Sequence, residues 1–417
     1  MHPAPSTRLT SLAAHRPFLY YVSGRGFSEF SYQIGTVAVG WQVYALTHSA
    51  FDLGMVVLVQ FIPSALLVFA AGHVADRYDR LRVVQICQFL QALTAAFLAW
   101  GTFAGWLTLA QIFAAMALFG IATAFENPAA GALLPVVAPE GRLQKATAVF
   151  TATWQIATIS GPALGGLAYA AAPGLPYAVM AVFWLLSGAS NGAIKVNRIV
   201  EAAEPPTLAS LFAGVSFIRR NPAILGTISL DLFAVLLGGA TALLPIYAHD
   251  ILHTGSWGLG VLRGAPAVGA LLMSAVLARH AISRRAGIRM FQAVIVFGLA
   301  TVVFAFSRSI GLSILALGVM GAADTVSVVI RIALVQLATP DAMRGRVSAV
   351  NYLFINASNQ LGAFESGATA ALLGTVPAVV LGGIGTVAVA LVWMKLFPTL
   401  RRVERLDGAV AAQTTRV

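Results

Sequence analysis

Eight ionisable side chains lie inside long apolar stretches of this chain. Hydrophobic residues make up 59% of the sequence and charged residues only 10%. An ionisable group among apolar residues is disfavoured unless it faces a partner or a water-filled path. Burial also raises the pKa of a carboxyl group in general, so that it can exchange a proton near neutral pH. The chemistry available is therefore proton exchange or charge pairing, by Arg25, Glu29, Glu126, Asp231, Arg263, Asp324, Arg331 and Glu365.

The spacing of these residues places some of them on shared helix faces. Arg25 and Glu29 are four residues apart, which puts both on one face of a helix. Asp324 and Arg331 are seven residues apart and share a face in the same way. Two interpretations remain open: the groups line a transport pathway, or arginines and carboxylates neutralise one another and fix packing. The candidate pathway residues are the proton carriers Glu29, Glu126, Asp231 and Asp324, with Arg25 and Arg331.

The stretches that carry these charges are long enough to cross a membrane. Soluble domains contain about 25% charged residues, so lipid suits this chain of 417 residues better than water. A membrane helix needs roughly 20 mostly apolar residues, whereas barrel strands show about 10 residues of alternating polarity, which this sequence lacks. We predict an all-α membrane protein with twelve transmembrane helices at 18–45, 53–75, 83–103, 107–134, 146–170, 175–194, 223–247, 257–278, 290–306, 311–335, 347–372 and 377–394.

The distribution of basic residues predicts the orientation. Of the 26 Lys and Arg residues, 22 fall in the termini and the loops of one side, whereas Arg308 alone falls on the other side. Cytoplasmic loops of membrane proteins collect Lys and Arg. We therefore expect cytoplasmic tails at 1–17 and 395–417 and a location in the plasma membrane, the bacterial inner membrane. The net charge of +11 then reflects these loops beside the lipid bilayer and does not indicate a nucleic-acid partner.

The chain is predicted to consist of two pseudo-symmetric six-helix halves, 18–194 and 223–394, joined by a cytoplasmic linker at 195–222. Within the linker, the segment from Leu208 to Ile218 is expected to form an amphipathic helix on the membrane surface. Short motifs recur in the second half at offsets of 201 to 206 residues. Repetition at nearly constant spacing favours duplication. The matches are His48-Ser49 with His253-Thr254, Leu53-Gly54 with Leu259-Gly260, Gly161 with Gly362, and Gly166 with Gly367.

A charged turn joins the second and third predicted spans. The segment Gly72-His73-Val74-Ala75-Asp76-Arg77-Tyr78-Asp79-Arg80-Leu81-Arg82 carries three arginines and two aspartates. Its plain interpretation is a positively charged cytoplasmic anchor. The pattern also closely resembles the signature between helices two and three of the major facilitator superfamily, with Asp79 where that family usually has glycine. The Asp-Arg-x-Asp-Arg variant is similar to the branch that contains enterobactin exporters and drug-efflux proteins.

The resemblance implies that this turn acts in gating. Asp76 is implied to cap the N-terminus of helix eleven in the other half, where the helix dipole favours a carboxylate. That contact would hold one face of the transporter closed and break during the cycle. Arg77 and Arg80 are implied to pair with carboxylates or lipid phosphates, and Gly72 to allow close helix approach. Arg82 completes the motif.

A second motif lies in the fifth predicted helix, at Gly161, Pro162, Gly165 and Gly166. Small residues at this spacing let two membrane helices pack closely, and proline removes a backbone donor and can kink the helix. A generic tight crossing is the plain interpretation. The Gly-Pro-x-x-Gly-Gly core also resembles the helix-five motif of exporters in the superfamily, with Ala157 at the position of its usual upstream glycine. It favours export over uptake and a conformational role for these residues.

The resemblance extends from Phe18 to Phe397 and implies a secondary transporter that works by alternating access. It places helices one, four, seven and ten on a central cavity. The implied function is proton-coupled export, by antiport, of a small amphipathic organic compound such as a drug, a siderophore or a metabolite. An uptake carrier or an uncoupled facilitator of the same fold is the alternative within transport. A non-transporting membrane sensor is the alternative outside it.

Several other classes lack support in the sequence. An ATP-driven pump would need Gly-x-x-x-x-Gly-Lys-Ser/Thr, and a metalloprotease would need His-Glu-x-x-His, and neither pattern occurs. Cys87 is the single cysteine, which excludes an internal disulfide and a cysteine-based metal site. His249 and His253 are four residues apart at the end of helix seven, where a solvated loop is favoured over a weak metal site. We expect no enzyme activity, no cofactor, no bound metal and a monomer.

Overall fold

The computed structural model describes residues 12, 15–195, 208–280, 282 and 285–404, and the regular secondary structure in those ranges is helical throughout. Most of the predicted N-tail, the acidic part of the linker and most of the C-tail lie outside the described residues. Twelve long helices follow one another: α1 Arg16–Thr47, α2 Ala50–Arg77, α3 Arg80–Ala104, α4 Leu109–Gly131, α5 Leu143–Ala171, α6 Leu175–Gly192, α7 Pro222–Leu237, α8 Gly255–Arg279, α9 Ala286–Phe306, α10 Ile310–Ala338, α11 Asp341–Leu373 and α12 Thr375–Leu396.

The twelve helices match the twelve predicted spans, which confirms the all-α membrane fold. Within the described part of the chain, eight of these segments are long and apolar enough to cross a membrane by composition alone. The other four, α1, α5, α6 and α11, have at least 18 residues each but do not meet the same criterion of composition. Polar residues are tolerated in a membrane helix when they face the protein interior, and these four helices lie against several others.

The seventh helix differs from its prediction because it is broken. It is α-helical only to Leu237, and a 3-10 turn Ala240–Leu243, a short helix Leu244–Ile246 and a π-helical turn Tyr247–Ile251 continue it. A Cβ atom at Gly239 would lie 2.4 Å from the carbonyl oxygen of Gly362 on α11. The two glycines between the segments therefore allow α11 to approach the backbone. The apolar run is continuous in sequence, so it predicted one uninterrupted helix.

Helices within each half pack mainly on one another. In the first half, α1 packs on α5 and α6, α2 packs on α4, and α3 packs on α4 and α6. In the second half, α7 packs on α11 and α12, α8 packs on α10, and α9 packs on α10 and α12. The halves meet chiefly through α2 with α11 and α5 with α8. The linker helix Leu208–Arg220, predicted as amphipathic, packs on α11.

The proposed duplication is visible in the backbone of the first turn of each half. His48 ends α1 with φ 48°, and His253, its counterpart in the repeat, has φ 51°. A left-handed conformation is uncommon for a residue other than glycine and costs roughly 1–2 kcal/mol. The same uncommon conformation at matching positions agrees with the predicted pseudo-symmetry of the halves.

The contacts between the halves occur at glycines that hold equivalent positions in the internal repeat. For reference, we call the face with the α2–α3 turn the loop side and the face with the α1–α2 turn the opposite side. On the opposite side, a Cβ atom at Gly166 of α5 would lie 2.4 Å from the carbonyl oxygen of Ser256 on α8. At the related crossing, a Cβ atom at Gly367 of α11 would lie 2.7 Å from the carbonyl oxygen of Ala50 on α2. Both crossings are therefore contacts of backbone against backbone.

Substitution at one of these crossings should open the opposite side. A Cβ atom at Gly260 would lie 2.4 Å from the carbonyl oxygen of Pro162, and overpacking of a close contact costs roughly 1–3 kcal/mol. We expect Gly260→Leu to reduce the population with the opposite side closed about tenfold. Spin labels would be placed at the exposed positions Leu46 and Leu373 in a Cys87→Ala background. The distribution of distances between them, measured by pulsed electron paramagnetic resonance, would report this population.

Gly131→Leu is the control, because a Cβ atom at Gly131 has no neighbour within 4 Å. It should leave the distance distribution unchanged. An identical distribution for Gly260→Leu and Gly131→Leu would contradict the role of the crossing in closure.

Candidate functional site

The first half contains a buried ion pair between α1 and α4. Arg25 Nη1 lies 3.3 Å from Glu126 Oε1, and Glu126 is only 2% exposed. Gln88 of α3 donates from Nε2 to the same carboxylate oxygen at 3.0 Å. The carboxylate is thus both neutralised and hydrogen-bonded, which is what a buried charge requires.

Uncharged polar side chains extend this pair into a network. Ser28 and Ser187 join α1 to α6 through their hydroxyl oxygens, 2.9 Å apart. Asn191 of α6 donates from Nδ2 to Gln88 Oε1 at 3.0 Å. Four helices are therefore tied together around Glu126. These residues could not be recognised in the sequence, because isolated serines and amides in apolar runs have no distinctive pattern.

The second half contains its own buried ion pair, between α7 and α10. Arg331 Nη1 contacts Asp231 Oδ1, and the two residues are 4% and 9% exposed. Asp324 lies nearby on α10, where its side chain is exposed, and it lines a small cavity of about 20 Å³ together with Asp231. Both arginines therefore pair with a carboxylate on another helix rather than with the acid that shares their own helix face.

Two of the predicted proton carriers make no ion pair with the described residues. Glu29 is half-buried on α1 and accepts a hydrogen bond from Gln33 Nε2 at 2.7 Å. Asp324 is the second predicted proton carrier without an ion pair. Glu365 of α11 is half-buried and accepts from Thr369 at 2.7 Å. The structure thus divides the acids at membrane depth into paired carboxylates, Glu126 and Asp231, and carboxylates with no cation within ion-pair distance among the described residues.

A central cavity of about 290 Å³ lies between the two halves. Its wall comes from α1, α2, α3, α4 and α6 of the first half and from the α7 continuation, α8 and α11 of the second. The resemblance implied α1, α4, α7 and α10, and α10 does not contribute. Hydroxyl and amide groups on the wall include Tyr32, Thr36, Gln60, Gln91, Asn359 and Gln360. Apolar side chains on the wall include Met116, Phe119, Met180 and Trp184.

The charged residues predicted for the pathway do not line this cavity. Arg25, Glu29, Glu126, Asp231, Asp324 and Arg331 all lie elsewhere in the helices. Arg263 of α8 is the charged residue on the wall. Arg263 was visible in the sequence at membrane depth but was given no role, because it lies on helix eight, which the resemblance does not place on the central cavity.

The opposite side is closed by side chains as well as by glycines. The Tyr44 hydroxyl of α1 donates to the Asp250 carboxylate of the α7 continuation, and His249 contacts the same carboxylate. The rings of Trp41 and His48 lie 5.4 and 5.6 Å from the ring of His249. His249, which was expected in a solvated loop, is partly exposed and also contacts rings of the first half. In the described ranges, no group of three or more His, Cys, Asp and Glu residues could hold a metal.

Hydrogen bonds between the halves continue only to mid-depth among the described residues. Ser256 Oγ donates to the Gly166 carbonyl oxygen at 3.0 Å, near the opposite side. Gln155 Nε2 donates to the Ala267 carbonyl oxygen at 3.3 Å, near the middle of α5 and α8. The space between the halves therefore faces the loop side.

The residues of the gating motif lie on that open face. Asp76 is exposed and makes no hydrogen bond or ion pair with the described chain, and Arg77 and Arg82 are exposed. A Cβ atom at Gly72 would have no neighbour within 4 Å. The contacts implied for Asp76 and Gly72 are not made in this conformation, and their gating role stays a prediction.

Two other residues of the motif shape the turn itself. Asp79 caps α3, because its Oδ1 atom accepts from the Leu81 amide at 2.9 Å. Arg80 Nε donates to the Ala75 carbonyl oxygen at 3.2 Å. The aspartate at the position where the family usually has glycine thus serves as a helix N-cap.

The helix-five motif lies at close crossings with two helices. A Cβ atom at Gly161 would lie 2.6 Å from Gln33 Cβ of α1, and one at Gly165 would lie 2.9 Å from the Ile34 carbonyl oxygen. Gly166 and Pro162 face α8 instead. The motif therefore holds α5 between its own half and the other half, although its conformational role stays a prediction.

Known proteins resemble this chain over most of its length. A sequence profile described as the Major Facilitator Superfamily matches residues 22–363. The enterobactin exporter EntS of Citrobacter koseri is 25% identical over 403 residues, which cover 94% of this chain and 95% of that protein. The multidrug efflux pump Tap of Mycolicibacterium fortuitum is 29% identical over 362 residues, which cover 80% and 84%.

Solved structures agree on the fold. The nucleoside transporter NupG aligns with a TM-score of 0.72 and 15% identity over 91% of this chain and 99% of that one. A bacterial homolog of the human lysosomal transporter Spinster aligns with a TM-score of 0.70 and 11% identity over 96% and 98%. The profile match, the relatives and the twelve-helix fold agree, and this chain belongs to the Major Facilitator Superfamily, a family of transporters and not of enzymes.

Proposed function

We propose that this protein is a proton-coupled exporter of a small amphipathic organic compound and works as a monomer by alternating access. The observation that carries the proposal is the central cavity, which lies between the halves and, among the described residues, is closed by contacts at the opposite side. Described residues of both halves line that cavity. The names of two relatives, an enterobactin exporter and a multidrug efflux pump, support export over uptake.

The loop side is proposed to face the cytoplasm of a bacterial cell. It carries 22 of the 26 Lys and Arg residues, and cytoplasmic loops are enriched in these residues. A cavity that faces the cytoplasm can load a compound there. Rocking of the halves would then close the loop side and release the compound on the opposite side.

Proton coupling is assigned to the acids that lack a cation, Glu29 and Asp324. Either group can take up and release a proton without breaking an ion pair. Glu126 and Asp231 are each held by an arginine, so that protonation would leave a buried arginine unpaired. The packing interpretation suits the paired acids, and the transport interpretation suits the unpaired ones.

Closure of the loop side is assigned to Asp76. In the conformation described here, α11 begins with Asp341, which pairs with Arg344 at 2.7 Å. When the loop side closes, the C-terminal end of α2 approaches this helix start, and the Asp76 carboxylate meets its free backbone amides. The contact would stabilise the conformation that is open to the opposite side.

The first test uses the purified full chain in proteoliposomes with an imposed pH gradient. A pH-sensitive dye follows proton movement while amphipathic compounds of different charge are added one at a time. We expect one class of compound to trigger proton movement in liposomes that contain the protein and none in empty liposomes. Compound flux without proton movement would favour an uncoupled facilitator, the alternative within the same fold.

The second test separates the two kinds of acid. Asp324→Asn and Glu29→Gln should each flatten the dependence of the initial transport rate on pH, because each removes a titrating group. Glu126→Gln is the matched comparison. It should keep the pH dependence and lower the unfolding temperature, since loss of one partner from a buried ion pair costs about 3 kcal/mol. A wild-type pH profile in both of the first two variants would refute the assignment.

The third test concerns the gate. Asp76→Asn should reduce the transport rate about tenfold, because a neutral amide interacts more weakly with a helix N-terminus than a carboxylate does. Expression and the unfolding temperature should not change, since Asp76 has no partner in this conformation. Asp52→Asn, at the N-terminal end of the same helix, is the control. Full transport activity in Asp76→Asn would remove the gating proposal.

A further inference from the structure

The central cavity contains a cation that has no counter-ion among the described residues. Arg263 projects from α8 onto the cavity wall. Its Nε atom is buried and has no hydrogen-bond partner, and no carboxylate of the described chain lies within ion-pair distance of its side chain. Arg25 and Arg331, the other arginines at membrane depth, are each paired. Arg263 is therefore the arginine whose charge is left for something else to satisfy.

The position of Arg263 makes it accessible to a ligand. It lies eight residues into α8, which is about 12 Å of helix and close to the middle of a bilayer core. Gly260 and Gly264, on either side of it in the helix, pack against backbone atoms of α5. These contacts hold α8 against α5. On the other side, a Cβ atom at Gly40 of α1 would be 3.7 Å from Arg263 Nη2. The guanidinium thus lies where the two halves meet.

The rest of the wall matches an anionic compound better than a cationic one. The wall has no Asp or Glu residue among those the structure places there, so nothing in it would neutralise an ammonium group. The amide groups of Gln60, Asn359 and Gln360 can donate and accept hydrogen bonds. Met116, Phe119 and Trp184 offer an apolar surface for a ring or a hydrocarbon chain.

We propose that the central cavity binds amphipathic organic anions, with Arg263 holding the acidic group of the ligand and the apolar wall holding its ring or chain. Arginine suits this role because its planar guanidinium remains charged and can donate two parallel hydrogen bonds to a carboxylate. The inference deepens the proposed function, on which it rests for the assumption that the cavity loads the exported compound. It restricts the proposed class of substrates to compounds with an acidic group and excludes lipophilic cations from that class.

Binding of three matched probes tests this proposal. They are 2-naphthoate, 2-naphthamide and 2-naphthylmethylammonium, which share one aromatic body and differ in charge. Equilibrium dialysis against the full chain in nanodiscs, corrected with empty nanodiscs, gives the affinity of each without any gradient. We expect naphthoate to bind at least about tenfold more tightly than naphthamide, as a charge-assisted hydrogen bond predicts. The cationic probe should bind most weakly.

Two variants connect this preference to Arg263. Arg263→Gln should bring naphthoate and naphthamide to equal affinity, and Arg263→Lys should retain part of the preference because it keeps the charge and loses the planar fork. Arg308→Gln, at an exposed arginine outside the cavity, is the matched control and should behave as the wild-type chain. Since Arg263→Gln could alter folding, naphthamide affinity in that variant serves as the internal check and should stay unchanged.

The proposal is overturned if naphthoate shows no advantage over naphthamide in the wild-type chain, including the case of no naphthoate binding at millimolar concentration. It is also overturned if Arg263→Gln keeps the preference. These outcomes are independent of the proton assay, because dialysis needs neither a gradient nor transport. Proton-coupled export with no anion preference would thus reject the inference alone.

Discussion

Close approach of backbone to backbone at two crossings is the constraint on which the arrangement of the two halves depends. A side chain at Gly166 or Gly367 would overlap the carbonyl oxygen of the partner helix. The crossings are related by the internal repeat, so α5 meets α8 as α11 meets α2. They hold the halves together over the opposite side and leave the other side open. The central cavity, its wall and the exposure of Asp76 all follow from that one-sided contact.

The charges at membrane depth are arranged to suit such a contact. Each half contains a complete ion pair, Arg25 with Glu126 in the first half and Asp231 with Arg331 in the second. Neither pair crosses between the halves, so the halves can separate without exposing an unpaired charge to lipid. Among the described residues, the polar contacts that do cross are few, and the bond from Tyr44 to Asp250 is the one that involves a carboxylate.

Much of the fold could be predicted from the sequence, and the reasons are physical. Lipid demands long apolar segments, so runs of apolar residues located all twelve helices. The matching glycines of the repeat could be seen in the sequence, but their place at crossings between the halves is known only from the structure. The identity of the acid that pairs with each arginine could not be predicted in this way. Spacing along one helix suggested that Arg25 and Glu29 act together, whereas the fold brings Glu126 from another helix to Arg25.

The site was harder to predict than the fold. The wall of the central cavity is built mostly from amides, hydroxyls and apolar side chains, and none of these is distinctive in an apolar run. Arg263 was visible in the sequence, but its importance depends on the absence of a nearby acid in three dimensions. The same holds for Gln88 and Asn191, whose role appears only when α3 and α6 meet around Glu126.

The break in α7 has a mechanical consequence. The intact part of the helix carries Asp231, which is locked to Arg331, and the segment beyond Gly238 and Gly239 carries Asp250, which is attached to Tyr44 of the other half. Both glycines have negative φ angles, −85° at Gly238 and −66° at Gly239, so they supply room for neighbouring atoms and not a special backbone angle. The turn between the two anchors is therefore tightly packed. Through it, the contact that closes the opposite side is attached to the part of α7 that lies in the core of the second half.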